Sequence, residues 1–378
     1  MNKLKLMTII GTRPEVIRLS EIIKKCDSYF YHILVHTGQN LDYTLNQVYF
    51  EDLDFREPDI YLDAVGDNAG DTIGNIISKS YHILDLHKPD ALLILGDTNA
   101  ALSVIAAKRL KIPVFHMEAG NRCFDENLPE EVNRRIVDHT ADINLCCTEQ
   151  ARLYLYAEGT AKERTCVTGS PMAEVLTANM DKIKNSKVLE KLGLNKSKYI
   201  LLSAHREENI ENEHNFFILM NAVNDLADRY DIPVVYSTHP RSGQIIEDRD
   251  FRFHPGVRSI KPLGFSDYIN LQINAYCVVS DSGTLPEEAS YFRSFPAVCI
   301  RTSTERPEAL ETGNIIISPI TAQQVLPAVD LAVRMQERKD TGSSAADYRD
   351  ENVSMKVVKI IQSYTGIINH TVWRKSQL

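Results

Sequence analysis

Short apolar, β-rich runs alternate with longer amphipathic segments along almost the whole chain, and they do so in two separate series. The first series places strands at 4–10, 32–36, 91–95, 114–117 and 142–146, and the second at 199–203, 234–237, 276–280 and 297–300. A short apolar run followed by a helix-length segment is a βα unit, and consecutive βα units build a parallel sheet covered by helices on both faces. The expected fold class is therefore α/β, with two doubly wound, Rossmann-like domains. Between the series lie Gly169-Ser170-Pro171 and the polar stretch 181–198, which put the domain junction near residue 170. The tail 354–368 reads as an amphipathic helix that suits either domain.

The length of 378 residues fits about two domains, or a single large α/β barrel, and 43% hydrophobic with 25% charged residues excludes disordered and fibrous architectures. With 42 basic against 51 acidic side chains the net charge is −9, which argues against a general nucleic-acid or membrane-surface binder. An anionic ligand must then meet a local basic pocket. The seven cysteines form no C-x-x-C pair and have no histidine spacing suited to zinc, so they read as reduced, mostly buried thiols and no metal is expected. The N-terminus lacks the features of a signal peptide, and no apolar stretch approaches the roughly 20 residues needed to span a bilayer, so a cytoplasmic location is expected.

In doubly wound folds ligands bind just beyond the C-terminal ends of the strands, and motifs cluster there. Gly11-Thr12-Arg13-Pro14-Glu15, continuing to Arg18, follows the first strand. A tight glycine turn into a helix N-terminus suits an anion, and Arg13 and Arg18 suit phosphate; a generic βα turn with surface arginines fits equally. It is not the G-x-G-x-x-G dinucleotide fingerprint, which disfavours a dehydrogenase. Gly96-Asp97-Thr98 and His116-Met117-Glu118-Ala119-Gly120 follow two further strands, and Pro129-Glu130-Glu131-Val132-Asn133-Arg134 comes next. Asp97 alone reads as a helix N-cap, yet Asp97, Glu118 and Glu130 at successive positions suit general acid–base chemistry.

In the second series Ser203-Ala204-His205-Arg206-Glu207-Glu208-Asn209 and Thr238-His239-Pro240-Arg241 follow strands. Their histidines suit phosphate contact or proton control, or are satisfied loop histidines. Asp281-Ser282-Gly283-Thr284 opens a helix carrying Glu287 and Glu288. That reads either as an anion cradle with a carboxylate for ribose hydroxyls, or as an N-cap serine with exposed glutamates. Arg301-Thr302-Ser303-Thr304-Glu305-Arg306-Pro307-Glu308 places four charged side chains in one loop, a costly arrangement unless an anion or ion pairs use it.

Taken in order, Gly-Thr-Arg-Pro-Glu, Gly-Asp-Thr, Glu-Ala-Gly-x-Arg, Pro-Glu-Glu-x-Asn-Arg, His-Arg-x-Glu-Asn, Asp-Ser-Gly and Thr-Glu-Arg-Pro-Glu resemble the non-hydrolysing UDP-N-acetylglucosamine 2-epimerases over about residues 4–330. The resemblance implies a glycosyltransferase-B-type fold, two Rossmann-like domains facing a central cleft. It implies a first domain of 1–169 with a C-terminal helix returning as 358–378, and a UDP-binding domain of 170–357. It also implies a homodimer that takes a UDP-linked 2-acetamido sugar; chemistry that expels UDP needs no redox cofactor and no metal, and no nucleic-acid or membrane partner is expected. By this resemblance Asp97, Glu118 and Glu130 are the catalytic carboxylates, and His205 stands beside the diphosphate with a catalytic role. Arg13, Arg18, Arg134, His239, Tyr268, Ser282, Gly283, Thr284, Glu288 and Arg306 are the UDP-sugar-binding residues, Tyr268 at the aromatic position near the uracil.

The sequence also departs from the family pattern. Arg18 stands where Lys is common, the stretch between Glu118 and Glu130 is about two residues shorter, and Thr284-Leu285-Pro286 replaces Gly-Ile-Gln. Thr37-Gly38-Gln39-Asn40 carries Asn in place of His. With these changes the chain is most similar to the subgroup that makes UDP-N-acetyl-L-fucosamine from UDP-2-acetamido-2,6-dideoxy-L-talose for capsule and O-antigen. The rival readings are the general UDP-N-acetylglucosamine/UDP-N-acetylmannosamine 2-epimerase, a glycosyltransferase of the same fold, a hydrolysing epimerase and a nucleotide-sugar sensor without catalysis.

Overall fold

Each of the nine expected apolar runs forms a strand, because valine, isoleucine and leucine fill both faces of a sheet covered by helices. The structure, a computed structural model, describes residues 3–38 and 47–375; Gln39 and Asn40 of the fourth departure lie outside the described residues. The strands are β1 (Lys5–Ile10), β2 (Tyr31–His36), β3 (Ile60–Tyr61), β4 (Ala91–Leu95), β5 (Val114–Met117), β6 (Ile143–Cys146), β7 (Thr165–Val167), β8 (Ile200–Ser203), β9 (Val234–Ser237), β10 (Val257–Ile260), β11 (Cys277–Ser280), β12 (Ala297–Cys299) and β13 (Ile316–Ile317). The chain divides into two compact units, residues 1–178 with 346–378, and residues 179–345.

In the first unit seven strands pair in the order β3-β2-β1-β4-β5-β6-β7. Every pairing is parallel, with Met7 opposite both Ile33 and Leu92. The chain winds outward from β1 to β3, crosses over to β4 and winds outward the other way. The C-terminal ends of β1 and β4 therefore form a topological switch point, and Gly11-Thr12-Arg13 and Gly96-Asp97 follow those two strands. Met7, Ile9, Val35, Leu92, Ile94 and Val114 are buried in one core cluster with Ile76 and Leu84 of the helix Ala69–His87. The helix Val353–Thr371 packs against the helix Arg13–Tyr29. It buries Val353, Val357, Ile361, Thr365 and Ile368, a stripe at helical spacing. Each fully buried aliphatic side chain there contributes roughly 1.5–3 kcal/mol.

The second unit repeats the plan with six parallel strands in the order β10-β9-β8-β11-β12-β13. Its switch point lies at the ends of β8 and β11, which lead into Ser203–Arg206 and Asp281–Thr284 respectively. Ile200, Leu202, Val234, Val279 and Val298 form its sheet core under the helices Glu213–Tyr230 and Ala322–Glu337. All seven cysteines are free thiols and five of them are buried. Among the described residues no helix is long and apolar enough to cross a membrane.

Candidate active site

In the first unit the turn after β1 is closed by its own glutamate. One oxygen of Glu15 accepts from the Gly11 amide at 3.0 Å, the Thr12 amide at 2.8 Å and the Thr12 hydroxyl at 2.9 Å. Two amides that the sequence offers to an anion thus serve a capping interaction. Glu15 is fully buried and burial pushes its carboxyl up to about 7, against the pull of those hydrogen bonds. Arg13 is half-buried, with its guanidinium 5.9 Å from the centre of the Tyr49 ring. Arg18, one turn further, is buried and ion-paired to Glu118.

Asp97 and Glu118 leave adjacent parallel strands, β4 and β5. Thr98, rather than Asp97, caps the following short helix by accepting from the Ala100 amide at 3.3 Å. The Asp97 carboxylate accepts from Arg134 Nε at 2.8 Å. Glu118 has a φ of 63°, a left-handed conformation costly for a residue with a long side chain. Gly120 explains how the turn continues, since a Cβ there would come within 2.3 Å of the Ala151 carbonyl oxygen. Asn121 donates to Glu118 Oε1 at 3.3 Å.

The helix Pro129–Thr140 fastens this arrangement from one face. Asn133 donates to the Asp97 carbonyl at 2.9 Å, Arg134 holds the Asp97 carboxylate, and Asp138 accepts from the Gly120 amide at 3.1 Å. Glu131 accepts from Arg134 at 2.7 Å and from the Cys123 and Phe124 amides, each at 3.2 Å. Burial works to raise the Glu131 pKa, but Arg134 and Cys123 prevail and hold it below the usual carboxylate range. Glu130 is exposed on the first turn of the same helix. Glu131 and Asp138 were missed as organising residues, although polar side chains at 131, 134 and 138 share one helical face in the sequence.

In the second unit Asp281 organises the turn after β8. It accepts from the His205 amide at 3.0 Å, the Arg206 amide at 3.0 Å and Asn209 Nδ2 at 3.1 Å, and lies 3.2 Å from His205 Nδ1. The asparagine of the His-Arg-x-Glu-Asn motif therefore closes the turn that presents the histidine. The His205 and His239 rings stack with centres 6.2 Å apart. His239 also caps the helix Pro240–Asp248 through its Nδ1. Ser282 Oγ lies 3.0 Å from Thr284 Oγ1, at the start of the helix Leu285–Phe292. Tyr268 is half-buried on the first turn of the helix Phe265–Asn274.

The charged loop after β12 is resolved into buried ion pairs. Arg301 meets Glu305 at 2.8 Å, Glu305 meets Arg306 at 2.5 Å, and Arg306 meets Glu287 at 2.7 Å. Arg306, expected on the diphosphate, is thus already matched to two carboxylates. Glu287 and Glu288 are buried rather than exposed, and Glu288 accepts from Gln272 at 2.7 Å. Gly283 is required by close approach, because a Cβ there would lie 2.9 Å from Glu305 Oε1. Among the described residues no group of three or more His, Cys, Asp or Glu side chains is placed to hold a metal ion.

The sequence pattern of the UDP-N-acetylglucosamine 2-epimerases matches residues 24–362. The chain belongs to the UDP-N-acetylglucosamine 2-epimerase family. A UDP-N-acetylglucosamine 2-epimerase of Methanococcus maripaludis is 32% identical over 86% of this chain and 91% of its own length. The structure is similar to that of a UDP-N-acetylglucosamine 2-epimerase from Rickettsia bellii, with 45% identity, coverage of 99% and 100% and a TM-score of 0.91. It is also similar to the Methanocaldococcus jannaschii UDP-GlcNAc 2-epimerase solved with UDP-GlcNAc and UDP, with 28% identity, coverage of 95% and 99% and a TM-score of 0.89. The chain is accordingly an isomerase of this epimerase family, with the glycosyltransferase-B-type fold class of its relatives.

Proposed function

We propose that the chain inverts C2 of a UDP-linked 2-acetamido sugar, converting UDP-2-acetamido-2,6-dideoxy-L-talose to UDP-N-acetyl-L-fucosamine, as a homodimer. The observation that carries the chemistry is the pair of carboxylates at neighbouring strand ends, Asp97 gripped by Arg134 and Glu118 by Arg18. No carbonyl neighbours C2 to acidify its proton, so the reading uses elimination. A carboxylate takes the C2 proton, the C–H electron pair forms the C1–C2 double bond, and the C1–O bond breaks with its pair leaving on UDP. UDP then adds back to C1 as a proton is delivered to the opposite face of C2, so atoms and electrons balance without an external oxidant or reductant.

Asp97, Glu118 and Glu130 share the acid and base roles in this reading. Arg13, His205 and Arg306 stabilise the leaving diphosphate, with Ser282 at a helix start, and Arg18, Arg134, His239, Gly283 and Thr284 complete the residues assigned to the UDP-sugar. Tyr268 and Glu288 are assigned to the nucleoside. The choice of the 6-deoxy sugar is supported by the shortened stretch between Glu118 and Glu130 and by Thr284-Leu285-Pro286. The names of the relatives favour a second reading, UDP-N-acetylglucosamine and UDP-N-acetylmannosamine as the pair.

Proton NMR of the purified enzyme in D2O, with each UDP-sugar in turn and no added NAD, separates them. Deuterium at C2 of the 6-deoxy sugar with formation of its epimer is the expected result. Exchange confined to UDP-N-acetylglucosamine selects the second reading, and exchange with neither overturns both. Asp97→Asn, Glu118→Gln and Glu130→Gln are each expected to lower turnover by about 100-fold or more with UDP affinity little changed. Full activity in any one removes that residue from the chemistry.

A further inference from the structure

Asp97 and Glu118 must address one carbon, yet neither side chain sets the position of its own backbone. His116 lies in β5, two residues before Glu118. Its Nε2 lies 2.8 Å from the Gly96 carbonyl oxygen, one residue before Asp97, and because a carbonyl only accepts, Nε2 presents an N–H to it. Its Nδ1 lies 2.9 Å from Asp138 Oδ1 in an ion-pair contact, and because a carboxylate only accepts, the ring faces Asp138 with an N–H as well. Asp138 in turn accepts from the Gly120 amide, two residues beyond Glu118, at 3.1 Å, and from Arg122 Nη1 at 2.7 Å. Arg122 is anchored at its other end by Glu158, at 2.8 and 2.6 Å. His116, Arg122 and Asp138 are all buried.

A single buried carboxylate is therefore tied to the Glu118 turn directly and to the Asp97 turn through one imidazole. We infer that His116, held by Asp138, is a positioning residue that sets the Asp97 and Glu118 carboxylates relative to each other. The inference rests on the reading that Asp97 and Glu118 act on the sugar. Packing alone would be satisfied by any ring of similar size, whereas the Gly96 bond needs a donor at the Nε2 position. Glutamine can bring an amide N–H to that point. Asparagine reaches only toward Asp138, and phenylalanine fills the space with no donor. A displacement of about 1 Å at reacting groups costs on the order of 100-fold in rate.

The test measures kcat, KM, UDP affinity and thermal melting for His116→Phe, His116→Gln and His116→Asn, with Asp97→Asn alongside. His116→Phe and His116→Asn are expected to lose about 30-fold or more in kcat while KM and UDP affinity stay within about threefold, and His116→Gln to recover most of the loss. Wild-type kcat in His116→Phe or His116→Asn overturns the inference, as does a glutamine variant no better than asparagine. If His116→Phe fails to fold, the glutamine and asparagine pair decides alone. Wild-type turnover in Asp97→Asn overturns the functional reading itself, whereas an inactive Asp97→Asn beside fully active His116 variants overturns only the positioning role.

Discussion

Arg134 holds one oxygen of Asp97 with two nitrogens, Nε at 2.8 Å and Nη2 at 2.7 Å, while its Nη1 reaches Glu131 at 2.7 Å. The planar guanidinium thus joins a proposed reacting carboxylate to the one that holds the Cys123 and Phe124 amides. A lysine offers a point charge and cannot bridge both. Arg134→Lys is expected to lower kcat by about 100-fold with UDP affinity within a few-fold of wild type, read by steady-state kinetics and calorimetry. Unchanged kcat would show that the bridge is dispensable.

Glu15 makes stability depend on pH. Its carboxyl titrates near 4.5 when unperturbed and is pushed up to about 7 by burial, so the folded chain holds that proton more tightly than the unfolded one. The resulting stabilisation is complete below about 4.5 and is lost as pH rises through about 7. Relative to Glu15→Gln, which cannot ionise, wild-type stability should fall by up to about 3 kcal/mol between pH 4.5 and 8. Denaturant unfolding of both proteins at several pH values reads this difference, and a flat one refutes it.

Gly283→Ala pushes a methyl group to within 2.9 Å of Glu305 Oε1, and Glu305 is itself pinned by Arg301 and Arg306. The side chain has little room to yield. A loss of about 1–3 kcal/mol in stability is expected, together with weaker UDP binding. Thermal melting and UDP titration test the two effects separately, and a variant equal to wild type in both shows that the ion-pair ladder adapts.

Asp281→Ala leaves the His205 and Arg206 amides and Asn209 Nδ2 without their shared acceptor. A buried donor left unsatisfied, as Asn209 Nδ2 is here, costs about 1–3 kcal/mol, so the variant should melt at lower temperature and bind UDP less tightly. Melting curves and UDP titration report both. Wild-type UDP affinity would show that the His205 turn holds its shape without the aspartate.

The strands that escaped the sequence reading share one property. β3, β7, β10 and β13 lie at the edges of the two sheets, and three of them carry no fully buried residue. An edge strand has one unpaired side and often one wet face, so it needs no continuous apolar run to form. The central strands, buried on both faces, spell themselves out as valine, isoleucine and leucine. The tail helix behaves like them, expected over 354–368 and found as Val353–Thr371, because its buried stripe recurs at helical spacing.

The two α/β units, the placing of the charged and glycine-bearing motifs after the strands, and the family are legible in the sequence, since these follow from local periodicity and from short ordered motifs. Which charge meets which is legible only in the folded chain. Arg134 lies 37 residues from Asp97, Arg18 lies 100 from Glu118 and Arg306 lies 19 from Glu287. No local preference encodes such pairings. They are set by the crossovers that bring distant strand ends together, and burial then makes each unmatched charge too costly to leave alone.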